Sequence, residues 1–236
     1  MRACPWLNFS LVGFVVLGIS AQGTTQSSTK SGTSQHSSSQ TPKSAASSSA
    51  IDDGAVTNGV YRNKSLGLSY KIPDGWVLRT EEMNAREDES DSKPSEQTPS
   101  PQGTQRNAQD NNKGRVLLAA FSRPPEAKGE DVNASIVIAA ESVTIYPGLK
   151  EAAQYFGPLT EVATAQGLSV DEEPYEIAVG SKTLVRGDFH KDVGSRVMRQ
   201  STLVFLAHGY AVSITVIGGT EDEVEDLIDE VTFVGK

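Results

Sequence analysis

Residues 61–76, with the sequence YRNKSLGLSYKIPDGW, decide the fold of this chain. Large apolar side chains alternate with small or polar ones at Leu66, Leu68, Tyr70 and Ile72. This period of two is typical of a strand with one buried face, and the turn at 62–65 connects it to the shorter apolar run Val60-Tyr61. The stretch therefore predicts a β-hairpin at the start of the domain.

The hairpin is followed by Pro73-Asp74-Gly75, a turn sequence, after which residues 76–78 are predicted to be extended. Trp76 is the only tryptophan after the apolar amino-terminal segment. A single aromatic residue makes no stacking platform, so we expect Trp76 to pack behind the hairpin and not to hold a ligand.

Six further apolar runs have the length of strands. Residues 116–121 and 134–143 are apolar on both faces and are predicted to be central strands. Short turns separate the other four runs, which indicates antiparallel neighbours. These runs are 174–178, 183–190, 197–206 and 210–217.

Two helices are predicted as well. An apolar stripe with helical spacing covers 149–163, and Pro158 inside it predicts a kink or two short helices that end at Gly167. At the carboxyl end, Thr220 and Glu223 match a capping box before an amphipathic helix. Because the central strands are apolar on both faces, the sequence predicts an α/β (α+β) fold, an antiparallel β-sheet with helices on both faces.

The exposed face of the terminal helix carries only acids, namely Glu221, Asp222, Glu225, Asp226, Asp229 and Glu230. A partner protein could recognise this face, and a divalent ion could be attracted to it. We expect a solvated face, because neighbouring carboxylates on one helix do not converge into an oxygen cage.

Residues 1–21 are predicted to be a signal peptide. Arg2 precedes an apolar run at 6–19, which is about 14 residues long and short of the roughly 20 that cross a bilayer as a helix. We expect cleavage after Ala21 in preference to cleavage after Ser20, with an uncleaved anchor as the alternative. Cys4 precedes the run, so it is not the lipidated cysteine of a lipoprotein. We expect a periplasmic or secreted protein without stable membrane insertion.

Residues 22–55 are predicted to be a disordered linker. Positions 22–50 contain 11 Ser, 5 Thr and 4 Gln and no aliphatic side chain larger than Ala, too little apolar area to offset the chain entropy. The folded domain is predicted to span 56–236. A disordered acidic and proline-rich insert is expected within it at about 87–114.

The charge of the chain disfavours several partners. All 30 acidic residues lie from Asp52 onward, against 18 of the 21 basic ones, so residues 51–236 carry a formal charge of −12. This field repels phosphate groups, which makes nucleic acid and anionic lipid poor partners. Cys4 is the only cysteine and lies in the predicted signal peptide, which excludes thiol chemistry in the mature chain.

No familiar catalytic motif is present in the sequence, since G-x-S-x-G, H-E-x-x-H, the P-loop and G-x-G-x-x-G are all missing. The strongest remaining cluster is Arg186, Asp188, His190 and Asp192, which alternate and so share one face of a predicted strand. It could bind a divalent ion or orient a base. We expect a polar, water-facing strand end, because zinc needs at least three converging ligands and His208 lies at a different turn. No catalytic, cofactor-binding or metal-binding residue is assigned, and no cofactor is expected.

The opening of the domain resembles the PsbP-like superfamily. The resemblance lies in Tyr-Arg-Asn at 61–63, Gly-Leu-Ser-Tyr at 67–70 and Ile-Pro-Asp-Gly-Trp at 72–76. Ala-Ala-Gln-Tyr at 152–155 and an acidic helix that closes on Val-Thr-Phe at 231–233 are similar too. The resemblance covers about residues 58–234 apart from the insert. It implies an α/β/α sandwich with an N-terminal hairpin.

The superfamily includes an extrinsic photosystem subunit, a nuclear-import factor that binds a small GTPase, and bacterial envelope proteins of the DcrB type. The resemblance implies docking and not catalysis, and no residue role is carried over. We therefore expect an exported, non-catalytic module that docks to another envelope or secreted protein, with its oligomeric state open. The alternatives are a small-ligand carrier with a pocket between sheet and helix and, more distantly, a hydrolase of unrecognised type.

Overall fold

The computed structural model describes residues 51–91, 114–127, 129 and 131–234. The predicted signal peptide, most of the predicted linker and residues 92–113 of the predicted insert lie outside these ranges. The strands are β1 (Ala55–Thr57), β2 (Val60–Asn63), β3 (Leu68–Lys71), β4 (Val77–Leu78), β5 (Arg115–Phe121), β6 (Ser135–Ser142), β7 (Ser169–Val170), β8 (Tyr175–Val179), β9 (Lys182–Val193), β10 (Arg196–Ala207), β11 (Tyr210–Gly218) and β12 (Val231–Phe233). The helices are α1 (Thr80–Asp91), α2 (Phe156–Ala165) and α3 (Glu221–Asp229), with 3-10 turns at Val143–Ile145 and Ala152–Tyr155.

The predicted hairpin is confirmed and belongs to a small antiparallel sheet. Strand β2 pairs with β3, with Tyr61 opposite Tyr70. The alternation buries Leu68 and Tyr70 and leaves Lys71 exposed. Strand β12, which was not predicted, pairs Val231 with Tyr70 and completes the sheet order β1-β2-β3-β12.

The folded domain begins earlier than the predicted boundary at residue 56. Ile51 is 8% exposed and packs into the main core. The side-chain amide of Asn63 donates a hydrogen bond to the backbone carbonyl of Asp52. The carboxyl-terminal end of the predicted linker is therefore part of the fold, because apolar burial and a buried hydrogen bond tie it to the hairpin.

The broad antiparallel sheet is confirmed. Its order is β4-β5-β6-β11-β10-β9, and β7 and β8 both pair with the outer edge of β9. The four runs predicted from residue 174 onward are the consecutive antiparallel neighbours β8 to β11. Strand β6 is central as predicted. Beyond β5 the described residues supply only the two-residue strand β4, so β5 is close to an edge.

Helix α1 is the one helix of the described residues that the sequence pattern did not predict. It covers residues 87–91, the start of the segment expected to be disordered. Its sequence TEEMNAREDESD has no apolar stripe, so periodicity could not indicate a helix. Polar contacts attach it instead: the side-chain amide of Asn84 donates to the carbonyl of Val116 and accepts from its N–H, both at 3.0 Å. These bonds occupy part of the β5 backbone edge that β4 leaves open.

Replacing Asn84 with alanine is expected to lower the free energy of unfolding by about 2 kcal/mol, because two backbone groups of a buried residue would lose their partner. Val116 is only 1% exposed, so water cannot readily replace the amide. Glu81→Ala, an exposed position of the same helix, is expected to change stability by less than about 0.5 kcal/mol. Urea denaturation compares the two variants, and an unchanged midpoint for Asn84→Ala would contradict the edge contact.

The second predicted helix behaves as its sequence indicates. The stripe is divided between Tyr155 and Phe156 into the 3-10 turn Ala152–Tyr155 and helix α2. Pro158 lies in the first turn of α2, where its missing N–H is not needed. The helix ends before Gly167, whose φ of 82° is the left-handed conformation common after helix ends.

The cap of α3 differs in one detail from the predicted capping box. The hydroxyl of Thr220 accepts a hydrogen bond from the backbone N–H of Glu223 at 3.1 Å, as expected. The carboxylate of Glu223 accepts from the N–H of Gly219 at 2.7 Å and not from Thr220. The contact shifts by one residue because the chain bends as it leaves β11.

Helices cover both faces of the large sheet, as predicted. We call the side that carries α3 and the small sheet the hairpin face, and the side that carries α1 and α2 the helical face. Alternate residues of β10 fill the two cores, with Leu203 on the hairpin face and Val204 on the helical face. No helix in the described ranges is long and apolar enough to span a membrane.

Candidate functional site

The polar cluster predicted on β9 is divided by the fold. Arg186 and Asp188 form an ion pair, with Nε 2.9 Å from Oδ1. The imidazole of His190 contacts Asp171 instead, and Asp192 is exposed. The described residues contain no group of three or more His, Cys, Asp or Glu arranged to hold a metal ion.

Asp188 lies in a network that joins three strands and a helix. Its carboxylate accepts hydrogen bonds from Arg186, from Tyr175 at 2.9 Å and from Ser201. Arg186 also binds Glu225 of α3, with Nη1 3.1 Å from Oε2. Burial opposes the charge of Arg186, but the bonds to Glu225 and Asp188 outweigh it and raise its pKa above the ordinary value. The network positions α3 on the sheet.

Arg186→Met is expected to lower the free energy of unfolding by about 2 kcal/mol, since the mostly buried Asp188 would lose its cation. The side chains of Arg186 and Asp188 are only 12% and 16% exposed. Glu225→Gln, which changes the 52% exposed end of the network, is expected to cost less than about 1 kcal/mol. Thermal denaturation compares the two variants. Equal losses of stability for Arg186→Met and Glu225→Gln would show that burial does not decide how much each ionic contact contributes.

Two arginines of the large sheet form ion pairs with the acidic face of α3. The sequence of the helix alone does not indicate these pairs. Glu221 pairs with Arg199 at 3.0 Å, and Glu225 pairs with Arg186. Asp226 and Asp229 are exposed. The face is partly neutralised and otherwise open to solvent.

A cavity of about 60 Å³ lies between the helical face and α2. Its floor consists of short side chains at the middle of the sheet, where Ala139 lies opposite Ser213 and Thr202 lies opposite Thr215. The hydroxyls of the two threonines are 3.1 Å apart. Because these side chains are short, they leave a space beneath the helix.

The amino-terminal end of α2 fixes the roof of the cavity. The ring of Phe156 lies directly over Gly187, and a Cβ atom at residue 187 would be 2.4 Å from that ring. Tyr155, Leu159 and Ala163 line the cavity from the helical side. The missing side chain at residue 187 therefore lets the helix begin close to the sheet.

A buried carboxylate forms one wall of the cavity. Glu141, near the end of β6, is 2% exposed and accepts hydrogen bonds from the hydroxyls of Tyr146 and Tyr155. Burial raises the pKa of Glu141, and the two hydroxyl bonds oppose that rise. Burial and the nearby carboxylate raise the pKa of both tyrosines, so they keep their protons and remain donors.

The rest of the cavity lining is uncharged and mixes apolar with polar side chains. Gln166, Gln200, Ser213 and Thr215 line it and are half-buried, which places them closer to solvent than Glu141. No lysine or arginine is among the described residues that line it. The cavity therefore has one acidic wall and a neutral polar rim.

The sequence analysis did not select these residues. Glu141 lies in the run 134–143, which was treated as apolar throughout, although a charged residue inside a buried strand is itself unusual. Ser213 and Thr215 likewise interrupt the run 210–217 at alternate positions. Trp76 packs against the hairpin-face core, as expected, and so lies across the sheet from the cavity.

The unfolding free energy of the wild type is expected to fall relative to Glu141→Gln as pH rises above the ordinary glutamate pKa of 4.5. Because the folded pKa is raised, the folded state binds more protons than the unfolded state between that value and the folded pKa. The difference in unfolding free energy between the wild type and Glu141→Gln changes by at most about 1.4 kcal/mol per pH unit. Above the folded pKa of Glu141 this difference no longer changes with pH. Urea denaturation from about pH 4 to about pH 8 measures it. Parallel pH profiles would contradict the burial of Glu141.

The fold and the cavity define an α+β domain with antiparallel sheets and a small pocket between the large sheet and α2. No family model matches the chain, and no curated protein does. Its resemblance to the PsbP-like superfamily therefore stays a prediction.

Several solved structures are similar to this chain. LpqN, involved in cell envelope biogenesis of Mycobacterium tuberculosis, is 13% identical with a TM-score of 0.33, over 71% of this chain and 83% of LpqN. PA94, a protein of unknown function from Pseudomonas aeruginosa, is 16% identical with a TM-score of 0.36, over 55% of this chain and 88% of PA94. A mutant of the protein Mog1 is 12% identical with a TM-score of 0.35, over 70% and 79% of the two chains. Every TM-score is below 0.5, so the assignment of function rests on the site itself.

Proposed function

We propose that this chain is an exported, non-catalytic binding module whose ligand site is the cavity between the helical face and α2. One observation carries the proposal: Glu141 is a carboxylate 2% exposed at the wall of a cavity that is otherwise neutral. A buried ionisable group costs stability, and such groups concentrate at functional sites. Of the functions that the sequence predicts, this favours the small-ligand carrier over the docking module.

The composition of the cavity supports binding without catalysis. No histidine, lysine or cysteine is among the described residues that line it. The two hydroxyls that contact Glu141 belong to tyrosines with raised pKa values, which hold their protons at neutral pH. The hydroxyls of Thr202, Ser213 and Thr215 also line the cavity, but in the described residues Glu141 is bonded to the two tyrosines and to none of these hydroxyls, so no paired nucleophile and base supports covalent catalysis.

The volume limits the ligand to a few atoms. About 60 Å³ holds on the order of four to six water-sized groups, whereas pockets for drug-sized ligands measure roughly 300–1,000 Å³. The module is proposed to hold a small polar molecule.

A titration of the full chain tests this proposal. Amide NMR spectra are recorded with methylammonium chloride and with acetamide, and the shifts are expected to be confined to residues around the cavity. Ala139→Leu, which fills the floor, is expected to abolish them without loss of stability. Its matched control is Ala140→Leu, whose side chain points into the packed core of the opposite face and is expected to cost about 1–3 kcal/mol. Failure of both probes to shift any cavity residue would contradict the proposal.

Docking to an envelope or secreted protein is the second candidate. Strand β1 forms the outer edge of the small sheet, and all three of its residues are exposed. An open strand edge can accept a strand from a partner. Crosslinked capture from envelope extract is expected to return one dominant partner with the wild type and to lose it with Val56→Lys; no difference between the two would count against docking at this edge.

A further inference from the structure

The cavity is expected to select for charge, because its single ionisable group is an acid. Glu141 is the one acidic side chain among the described residues that line it, and the remaining lining is neutral. The described residues include no lysine or arginine in an ion pair with Glu141. Lys191, a cation on the same face of the sheet, donates to the backbone carbonyl of Gln166 at 2.6 Å. Glu141 therefore lies in the cavity without a counter-ion from the described part of the protein.

Its carboxylate also retains capacity to accept hydrogen bonds. Two carboxylate oxygens offer about four acceptor positions, and the hydroxyls of Tyr146 and Tyr155 use two of them. A donor inside the cavity can reach the others. The ring of Tyr155 lines the same space, and an aromatic face attracts a cation.

The opposite side of the cavity offers further acceptors. Thr202 and Thr215 share one hydroxyl hydrogen bond, which leaves oxygen lone pairs free on both. Ser213 and the amide oxygens of Gln166 and Gln200 add neutral acceptors. An ion with several N–H donors matches this set, whereas an anion would face the carboxylate and find no cation.

We propose that the cavity binds ammonium or a small primary alkylammonium ion, with the nitrogen at Glu141. This inference rests on the proposed function and gives it a ligand class. The volume accommodates methylammonium and ethylammonium. The carboxylate of Glu141 disfavours amino acids, because their own carboxylate would be placed beside it.

The test uses the full chain with methylammonium chloride, acetamide as a neutral probe of comparable size, and sodium chloride at matched ionic strength. Methylammonium is expected to produce saturable amide shifts around the cavity that sodium does not reproduce. Its dissociation constant is expected to rise at least about tenfold in Glu141→Gln, because a charge-assisted hydrogen bond is lost.

Each alternative outcome separates the two proposals. Acetamide binding as tightly as methylammonium, or methylammonium effects matched by sodium, overturns the cation inference and leaves a binding cavity. If neither methylammonium nor acetamide shifts the amide signals around the cavity, the proposed cavity function is overturned as well.

A wild-type measurement covers the case in which Glu141→Gln does not fold. Of the described titratable groups, Tyr146 and Tyr155 are those that act on Glu141, and both keep their protons through the acid and neutral range. Methylammonium affinity should therefore rise with pH as the carboxylate ionises. Affinity that is independent of pH from about 4 to about 8 overturns the inference.

Discussion

Asn63→Ala is expected to lower the free energy of unfolding by about 4 kcal/mol, because one buried side chain makes four hydrogen bonds of about 1 kcal/mol each. Asn63 is 1% exposed. Its amide nitrogen donates to the carbonyl of Asp52 and to the Tyr61 hydroxyl, and its oxygen accepts from Ser65 and from the N–H of Leu66 at 3.0 Å. One amide therefore holds both the first residues of the domain and the turn of the hairpin.

The neighbouring position supplies the control for this variant. Lys64 is exposed, and Lys64→Ala is expected to change stability by less than about 0.5 kcal/mol. Urea denaturation of both variants gives the difference. A loss below about 1 kcal/mol for Asn63→Ala would show that water or a rearranged turn replaces these bonds. A loss equal to that of Lys64→Ala would remove Asn63 from the account of the fold.

Gly187→Val is expected to cost about 3 kcal/mol through overpacking. A Cβ atom would lie 2.4 Å from Cε1 and 2.8 Å from Cδ1 of Phe156, well inside van der Waals contact. Phe156 is 3% exposed, so the ring has no open space to enter and the start of α2 must lift from the sheet. Since α2 roofs the cavity, the same variant is expected to weaken methylammonium binding.

Gly157→Ala is the matched control on the helix itself. A Cβ atom there meets no atom within 4 Å, so alanine is expected to raise stability by up to about 0.5 kcal/mol through its better helix propensity. Thermal denaturation and methylammonium titration of the two variants measure both effects. Full stability of Gly187→Val would contradict the close contact between Phe156 and β9.

Where apolar residues recur at regular spacing, the sequence was sufficient to predict the strand or helix. The hairpin, the order of antiparallel neighbours from β8 to β11, the division of 149–165 into two short helical segments and the amphipathic helix α3 were all predicted correctly. Their residues alternate or recur because one face of each element is buried, and burial of one face is visible along the chain. Helix α1 was missed because a polar side chain, Asn84, attaches it to the sheet and no apolar stripe is required.

The residues of the site could not be predicted from periodic patterns. Alternation correctly placed Arg186 and His190 on one face, but it could not show that Asp188 is satisfied by Tyr175 and Ser201 from other strands. Glu141 was overlooked because a single acid within an apolar run produces no periodic pattern.

The sequence by itself determined the hairpin, the long strands of the broad sheet and the helices α2 and α3, and that apolar faces would be covered on both sides of that sheet. It also determined the negative charge of the domain and the lack of thiol chemistry in the predicted mature chain. Only the tertiary structure decided that Ala139, Ser213, Thr202 and Thr215 meet beneath α2 and leave a cavity beside Glu141. The reason is physical: burial of a face is a property of consecutive residues, whereas a cavity depends on the sizes of side chains that pairing and packing bring together from distant positions.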